Sequence, residues 1–503
     1  MRPRPCQRLG KMIYQKGNAM KKKHVLLIFT DQQRRDTIHA LGNEKIVTPA
    51  LDAIANEAVV FDRCYTPSPV CVPARMSMFA GQYCARTGNN TNDRTKVYQG
   101  EGFYSEFTKA GYNTHCVGKM HYNPDLYGDL GFRGRDTQEE MAHPDDDYTK
   151  FIKNSPYKHV FDYNGQRSEL YYIPQVSQLP QEMHPTQWVG DRAVEFLESA
   201  DPEKEPVFLM ASFIHPHPPF CPPAPWNKMY RGPFEHTPFI PEDKESYADM
   251  LRNRYTCDAL GISPRRLELL VEHYYACISF VDYQISRLID TLKKKGLYDD
   301  TIIVFSSDHG DMMGDYGSMG KRTMLDAAAN IPFLLRVPGQ EHEIRHDPAS
   351  LVDLAPTLLS ACGIQYDKNE YDGVNLFEDT HEEVYSQYAN GAIGTYMIAT
   401  GKDKLVYSAI GNKYFYFDSF PDEVNKYDES NPRVMELKAK LDAHMASDCC
   451  PVQDETANPV SPARQAKYSF YPKFDDHARY AEDERARMPK GYEITLGGKN
   501  TDY

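Results

Sequence analysis

Asp31, Gln32, Asp308 and His309 together offer two carboxylates, one amide oxygen and one imidazole. Hard oxygen ligands with a single nitrogen suit Ca²⁺, Mg²⁺ or Mn²⁺ better than a closed zinc site. Lys119 and Lys321 add positive charge. A divalent metal with two lysines beside it is a trap for a tetrahedral oxyanion such as sulfate or phosphate.

These residues share a position in the sequence pattern. Asp31 and Gln32 follow the apolar run HVLLIFT (24–30). Gly118, Lys119 and His121 follow NTHCV (113–117). His215 and His217 follow PVFLMASF (206–213). Asp308 and His309, then Lys321, follow TIIVF (301–305). Short apolar runs bounded by turn residues read as strands buried on both faces. In a parallel sheet, ligands bind beyond the carboxyl ends of the strands. A single strand-end Asp or His commonly caps a helix or faces water, but four strands delivering acids, histidines and lysines to one rim describe a site.

The remaining elements fit that frame. Helical spacing is read at 50–58, 103–110, 187–199, 264–295 and 353–362, with another strand at 331–336. The alternation predicts an α/β fold, a large mainly parallel sheet sandwiched by helices. From about residue 380 short strands at 384–387, 396–400, 404–407 and 413–418 precede a helix at 432–445. They predict a smaller C-terminal α+β subdomain, an antiparallel sheet plus one helix. The expected division is an N-terminal extension (1–20), a catalytic domain (21–378), the subdomain (379–450) and an extended tail (451–503). Pro- and Tyr-rich stretches at 124–186 and 218–262 lack clear periodicity, and such insertions often shape a pocket.

The chain has 503 residues and a formal net charge of −14, which argues against a nucleic-acid partner. No stretch approaches the roughly 20 apolar residues of a membrane span. The basic N-terminus lacks an apolar signal core, so a cytoplasmic location is expected, with Met1 or Met20 as the start. The 11 cysteines are an odd number, scattered without zinc-finger spacing. Cys449 and Cys450 read as tail thiols, and Asp311 and Asp315 as loop caps.

The segment Cys71-Val72-Pro73-Ala74-Arg75 resembles the signature at which type I sulfatases, of the alkaline phosphatase superfamily, have their cysteine oxidised to formylglycine. In order along the chain, Thr48-Pro49-Ala50-Leu51-Asp52, Gly81, Gly118-Lys119-Met120-His121, Pro216-His217, Ser307-Asp308-His309-Gly310 and Lys321 resemble further motifs of that family. The resemblance spans residues 24 to about 440. It departs in three places: Gln32 where many members have a second aspartate, His309 where many have asparagine, and Ala74 where serine is common. The Asp-Gln and Asp-His pairs are similar to those of choline sulfatases and of the related phosphonate monoester and phosphodiester hydrolases, and Pro216-His-Pro-Pro-Phe220 resembles the latter group too.

The resemblance implies that Cys71 becomes formylglycine through a maturation enzyme, and that Asp31, Gln32, Asp308, His309 and residue 71 hold a divalent metal. Ca²⁺ is the family default, with Mn²⁺ or Mg²⁺ as alternatives. Arg75 would anchor the hydrated aldehyde and Lys119 would contact sulfate oxygens. His217, chosen over His215 because Pro216 precedes it, and Lys321 would protonate the leaving alcohol. His121 would deprotonate the second hydroxyl as sulfate leaves, an exit that a thiol lacks. The implied activity is hydrolysis of a small sulfated substrate, a saccharide, with phosphonate monoester or phosphodiester hydrolysis or choline-sulfatase-like activity as alternatives. His184, Trp188 and Arg322 are the candidate substrate contacts. The oligomeric state is left open.

Overall fold

The computed structural model describes residues 22–92, 98, 100–122, 126–167, 171–232, 235–251, 262–422 and 424–450. The expected extension and tail fall outside these residues. Among the described residues ten strands precede the C-terminal sheet: β1 (His24–Thr30), β2 (Val59–Phe61), β3 (Cys64–Tyr65), β4 (Asn113–Gly118), β5 (Gly134–Thr137), β6 (Val207–Ser212), β7 (Thr301–Ser307), β8 (Phe333–Arg336), β9 (Glu343–Arg345) and β10 (Ala349–Ser350). Eight of them form one sheet in the order β5-β4-β6-β1-β7-β8-β2-β9. All pairings are parallel except those of β8 with β7 and β2.

The sheet is covered on both faces, which is why its central strands are continuously apolar. Successive side chains of β1 alternate between two cores. Val25, Leu27 and Phe29 enter one with Phe103, Tyr104, Phe107, Leu354 and Leu358. Leu26 and Ile28 enter the other with Leu51, Ile54, Val189, Ile285 and Leu288. The helices supplying these residues are Phe103–Lys109 and Leu354–Ala361 on the first face, and Pro49–Glu57, Pro185–Ser199 and Pro264–Lys294 on the second.

After β10 (Ala349–Ser350), the strands β11 (Val384–Tyr388), β12 (Thr395–Ala399), β13 (Lys404–Ser408) and β14 (Lys413–Phe417) form a separate antiparallel sheet. One face of that sheet, with Met397, Val406 and Phe415, packs on Tyr65, Met312 and Met324 of the larger unit. The other, with Ile398, Leu405 and Tyr416, packs on Val434, Leu437 and Leu441 of the helix Pro432–Ala446. The architecture is therefore the expected large sheet with a smaller α+β unit. The short strands β2, β3, β5, β9 and β10 carried too few residues for their periodicity to be read.

Candidate active site

β4, β6, β1 and β7 are adjacent in the sheet, so the four strand ends expected to carry chemistry are neighbours. Register sets them level: Gly118 pairs with Ser212, Phe29 with Ser212 on its other side, and Thr30 with Ser307. Strands lie about 4.8 Å apart, so side chains leaving these four ends converge within one pocket's width. Gly118 is required there. Its φ is +95°, and a Cβ would meet the Ser212 carbonyl oxygen at 2.0 Å.

Asp31, Cys71, Asp308 and His309 are buried, and their candidate ligand atoms all lie within 4.8 Å of one another. Asp308 Oδ1 accepts from the backbone N–H groups of Gln32 (3.0 Å) and His309 (2.9 Å), which locks the β1 and β7 ends together. His309 Nδ1 lies 3.0 Å from the Gly310 carbonyl, so Nδ1 donates and Nε2 presents its lone pair to the cluster. Burial brings the His309 pKa down to about 4, leaving the imidazole neutral as a ligand must be. The Gln32 amide nitrogen donates to Tyr172 Oη (3.1 Å) and to Asp311 Oδ2. That fixes the amide's orientation while Oε1 stays buried without a hydrogen-bond partner, a state that disfavours folding unless a cation occupies the site. Two carboxylates, a neutral imidazole and an unpartnered amide oxygen fit a hard divalent metal.

Cys71 opens the helix Cys71–Ala80, every residue of which is buried, and Gly81 ends it in the left-handed conformation (φ +65°). One turn after Cys71, Arg75 occupies the same helix face and is fully buried. Its Nε donates to Asp308 Oδ2 (2.8 Å), Nη2 pairs with Asp31 Oδ2 (3.3 Å), and Nη1 reaches the Lys119 carbonyl (3.0 Å) and Ser212 Oγ (3.2 Å). Lys119 Nζ binds Asp31 Oδ2 and Glu140 Oε1. Burial raises the Asp31 pKa, but Lys119, His217, Lys321 and Arg75 together hold it well below the usual carboxylate range. Burial, then Asp31, pushes the Cys71 thiol up to about 11, despite Lys321 and Lys119. At neutral pH the unmodified side chain is therefore a protonated thiol and a weak nucleophile.

Lys321 Nζ lies 3.0 Å from Cys71 Sγ and 3.2 Å from His309 Nε2. His217 Nδ1 donates to the Pro218 carbonyl (2.7 Å), and Nε2 meets Tyr171 Oη at 3.2 Å. His121 faces Glu139 Oε2 (3.4 Å) and Glu140 Oε1 (3.5 Å) through Nδ1. Burial holds His121 and His217 below the ordinary histidine value, with Glu140 opposing it in both. Gln32, His121 and Arg322 all have φ between +56° and +71°, a conformation non-glycine residues rarely adopt and one that concentrates at functional sites.

The structure thus gathers Asp31, Gln32, Cys71, Arg75, Lys119, His121, His217, Asp308, His309 and Lys321. It does not bring in His184 or Trp188. His184 is buried as the N-cap of Pro185–Ser199, with Nδ1 accepting from Thr186 N–H (3.1 Å) and Nε2 beside the Cys221 carbonyl (3.2 Å). Trp188 packs among Tyr148 and Phe151 in the core. Their apolar-helix setting is structural, so neither is offered further as a substrate contact. Arg322 follows Lys321, donates from its backbone to the Pro69 carbonyl (3.0 Å) and stacks over Tyr388 (5.3 Å). His215 lies 2.9 Å from Thr186 Oγ1 and stacks on His184. Asp311 does cap its loop, accepting from the backbones of Met313 (2.9 Å) and Gly320 (3.0 Å), but it also holds the Gln32 amide.

Glu139 and Glu140 escaped the sequence reading because β5, which delivers them, is only four residues long. Glu139 Oε1 accepts from the backbones of Met120 (3.0 Å) and His121 (2.9 Å), fixing the turn after Lys119. The repeated acid directly after a strand paired to β4 was the available signal.

The family model described as Sulfatase matches residues 23–364. An arylsulfatase of Clostridium perfringens is 30% identical over 438 residues, covering 79% of this chain and 88% of the relative. A choline-sulfatase of Rhizobium meliloti is 30% identical over 454 residues, covering 84% and 85%. The solved phosphonate monoester hydrolase of Agrobacterium radiobacter superposes with a TM-score of 0.71 at 22% identity, covering 85% of this chain and 96% of that one, which shows a shared fold. The chain belongs to the sulfatase family, within the alkaline phosphatase-like superfamily, and is a sulfuric ester hydrolase.

Proposed function

We propose that the chain hydrolyses a sulfate ester of a saccharide, with Cys71 oxidised to formylglycine and Asp31, Gln32, Asp308 and His309 holding a divalent metal, Ca²⁺ foremost. The observation that carries the reading is the buried donor set around Cys71: its ligand atoms lie within 4.8 Å, and the Gln32 amide oxygen has no other partner. The raised thiol pKa supports modification, because an unmodified Cys71 would not ionise at neutral pH. When bound, the metal supplies a Lewis-acid centre that polarises an oxygen and offsets negative charge.

The chain's own residues do the rest. Arg75 holds Asp31 and Asp308 in register and keeps the floor of the site cationic. Lys119 and Lys321 bind sulfate oxygens, whose charge they stabilise more strongly in a water-poor pocket. His217 is held at Nδ1 by the Pro218 carbonyl, so Nε2 is the atom facing the leaving alcohol, and it passes a proton there from the imidazolium form, which Glu140 and Asp31 favour. His121, oriented by Glu139 and Glu140, is the base on the side of Lys119.

The saccharide assignment rests on the side chains around the site. Arg167 pairs with Glu140 (2.8 Å) and lies over Tyr171 (5.9 Å); Arg322 lies over Tyr388. Guanidinium groups and aromatic faces suit a hydroxylated ring bearing further negative charge. They disfavour a trimethylammonium group, which wants an aromatic cage without competing cations. Turnover of a sulfated monosaccharide, choline sulfate and a phenyl phosphonate ester by one preparation tests the proposal. A preference for either of the last two would sink the saccharide reading. An unmodified thiol in the Cys71 peptide of active protein, measured by intact mass, would sink the formylglycine.

A further inference from the structure

Glu140 holds no metal and moves no proton in the reading above, where it only helps to orient His121. Its Oε1 binds Lys119 Nζ, lies 3.5 Å from His121 Nδ1 and 3.8 Å from His217 Nε2. A carboxylate oxygen of Glu140, a ring nitrogen of His217 and Cys71 Sγ lie within 4.8 Å of one another. Lys119, His121 and His217 are the groups read above as receiving the sulfate and its leaving oxygen. The carboxylate therefore stands on the ground that a sulfate would occupy.

We propose that Glu140 is a resident carboxylate in the oxyanion seat, displaced by the sulfate of the substrate and then held outside the seat by Arg167. This rests on the sulfatase reading of the same pocket.

The charges explain why such a resident is useful. Lys119 is fully buried, and a buried ammonium needs anionic partners. Asp31 supplies one on the metal side; Glu140 supplies the other on the side open to substrate. When sulfate enters, its oxygens take over that second partnership, and Glu140 no longer has a favourable place beside another anion. Arg167 gives it one. The guanidinium already holds the other oxygen, Oε2, at 2.8 Å, and its side chain is 24% exposed, more than the 13% of Glu140 itself. Glu139 stays fixed on the backbones of Met120 and His121, so a side-chain rotation of Glu140 is sufficient and the turn need not move. Competition from the internal carboxylate lowers the apparent affinity for sulfate by the fraction of molecules with the seat closed.

The test uses the full chain carrying Cys71→Ala, which cannot turn over, with calcium present, and titrates inorganic sulfate by calorimetry. Glu140→Gln on that background keeps the shape and removes the charge. Thermal unfolding of both proteins checks that they are folded, and Glu140→Ala serves if the glutamine variant is not. The expected result is sulfate bound roughly tenfold more tightly without the carboxylate. Equal or weaker binding, with sulfate still bound by the parent, overturns the role of Glu140 and makes it a positioning partner of Lys119. Failure of both proteins to bind sulfate overturns the oxyanion seat itself, and the present proposal with it.

Discussion

Lys321 Nζ stands 3.0 Å from Cys71 Sγ, although 250 residues separate them in the chain. The contact is held by backbone: the Arg322 N–H donates to the Pro69 carbonyl, tying the loop after β7 to the turn that begins the Cys71 helix. An ammonium is thus fixed against the side chain proposed above as the nucleophile.

Replacing Lys321 by Met should lower kcat by about 10²–10³-fold, the usual loss when one preorganised charge-stabilising donor is removed. Metal content should be unchanged, because Lys321 carries no ligand atom. Steady-state kinetics with metal analysis by mass spectrometry checks both halves. A loss of metal together with activity would place Lys321 in support of the ligands instead.

Asp31→Asn should behave differently. Asp31 is both a ligand candidate and the partner of Arg75 and Lys119. Its neutralisation leaves two buried cations short of an anion, which destabilises by about 3–5 kcal/mol. Metal stoichiometry and denaturant unfolding should fall together. Chelator treatment of the parent should remove activity and lower the melting temperature, and calcium should restore both.

The four strand ends were readable because buried parallel strands are long, apolar and bounded, and because chemistry in such sheets follows the strands. His217 could be separated from His215 only by the preceding proline. His184 and Trp188 could not be placed, since a histidine that caps a helix and one that meets a ligand look alike in sequence. Glu140 was hidden for a different reason. It follows a strand of four residues at the sheet's edge, in a stretch where turns outweigh periodicity, and its importance arises only when β5 pairs with β4 and brings it to Lys119.

Stability should depend on pH in two opposed ways. Burial raises the carboxyls of Asp146 and Asp282 to about 7. Their contribution is fully present below the unfolded value near 3.8 and is lost as pH rises through about 7. Asp31 and Glu140 are held below the carboxylate range, so their contribution is present above it and is lost as pH falls through their depressed values. The melting temperature should therefore decline both on acidification below the carboxylate range and as pH rises from about 4 to 7. Asp282→Asn should flatten the decline between about pH 4 and 7 alone; an unaltered slope would show that Asp282 does not titrate there.

Lys404 joins the small sheet to the larger unit. Its Nζ, fully buried at the start of β13, donates to the Met324 carbonyl (2.8 Å), Asp326 (2.7 Å) and Asp422 (2.6 Å). Asp422 also accepts from the Asp326 N–H at 2.8 Å. Met324 and Asp326 lie just beyond Lys321 and Arg322, so the same lysine steadies the loop that carries the site. Lys404→Met keeps the length and removes the charge, leaving two buried carboxylates beside one another; the expected destabilisation is about 3–5 kcal/mol. Replacing the pair as well, with Asp326→Asn and Asp422→Asn, should recover part of that loss, because the uncompensated charge is gone. Denaturant unfolding of the single and triple variants measures the difference. Recovery of stability without recovery of kcat would show that the ion triad positions Lys321, whereas full recovery of both would show that packing alone holds the loop.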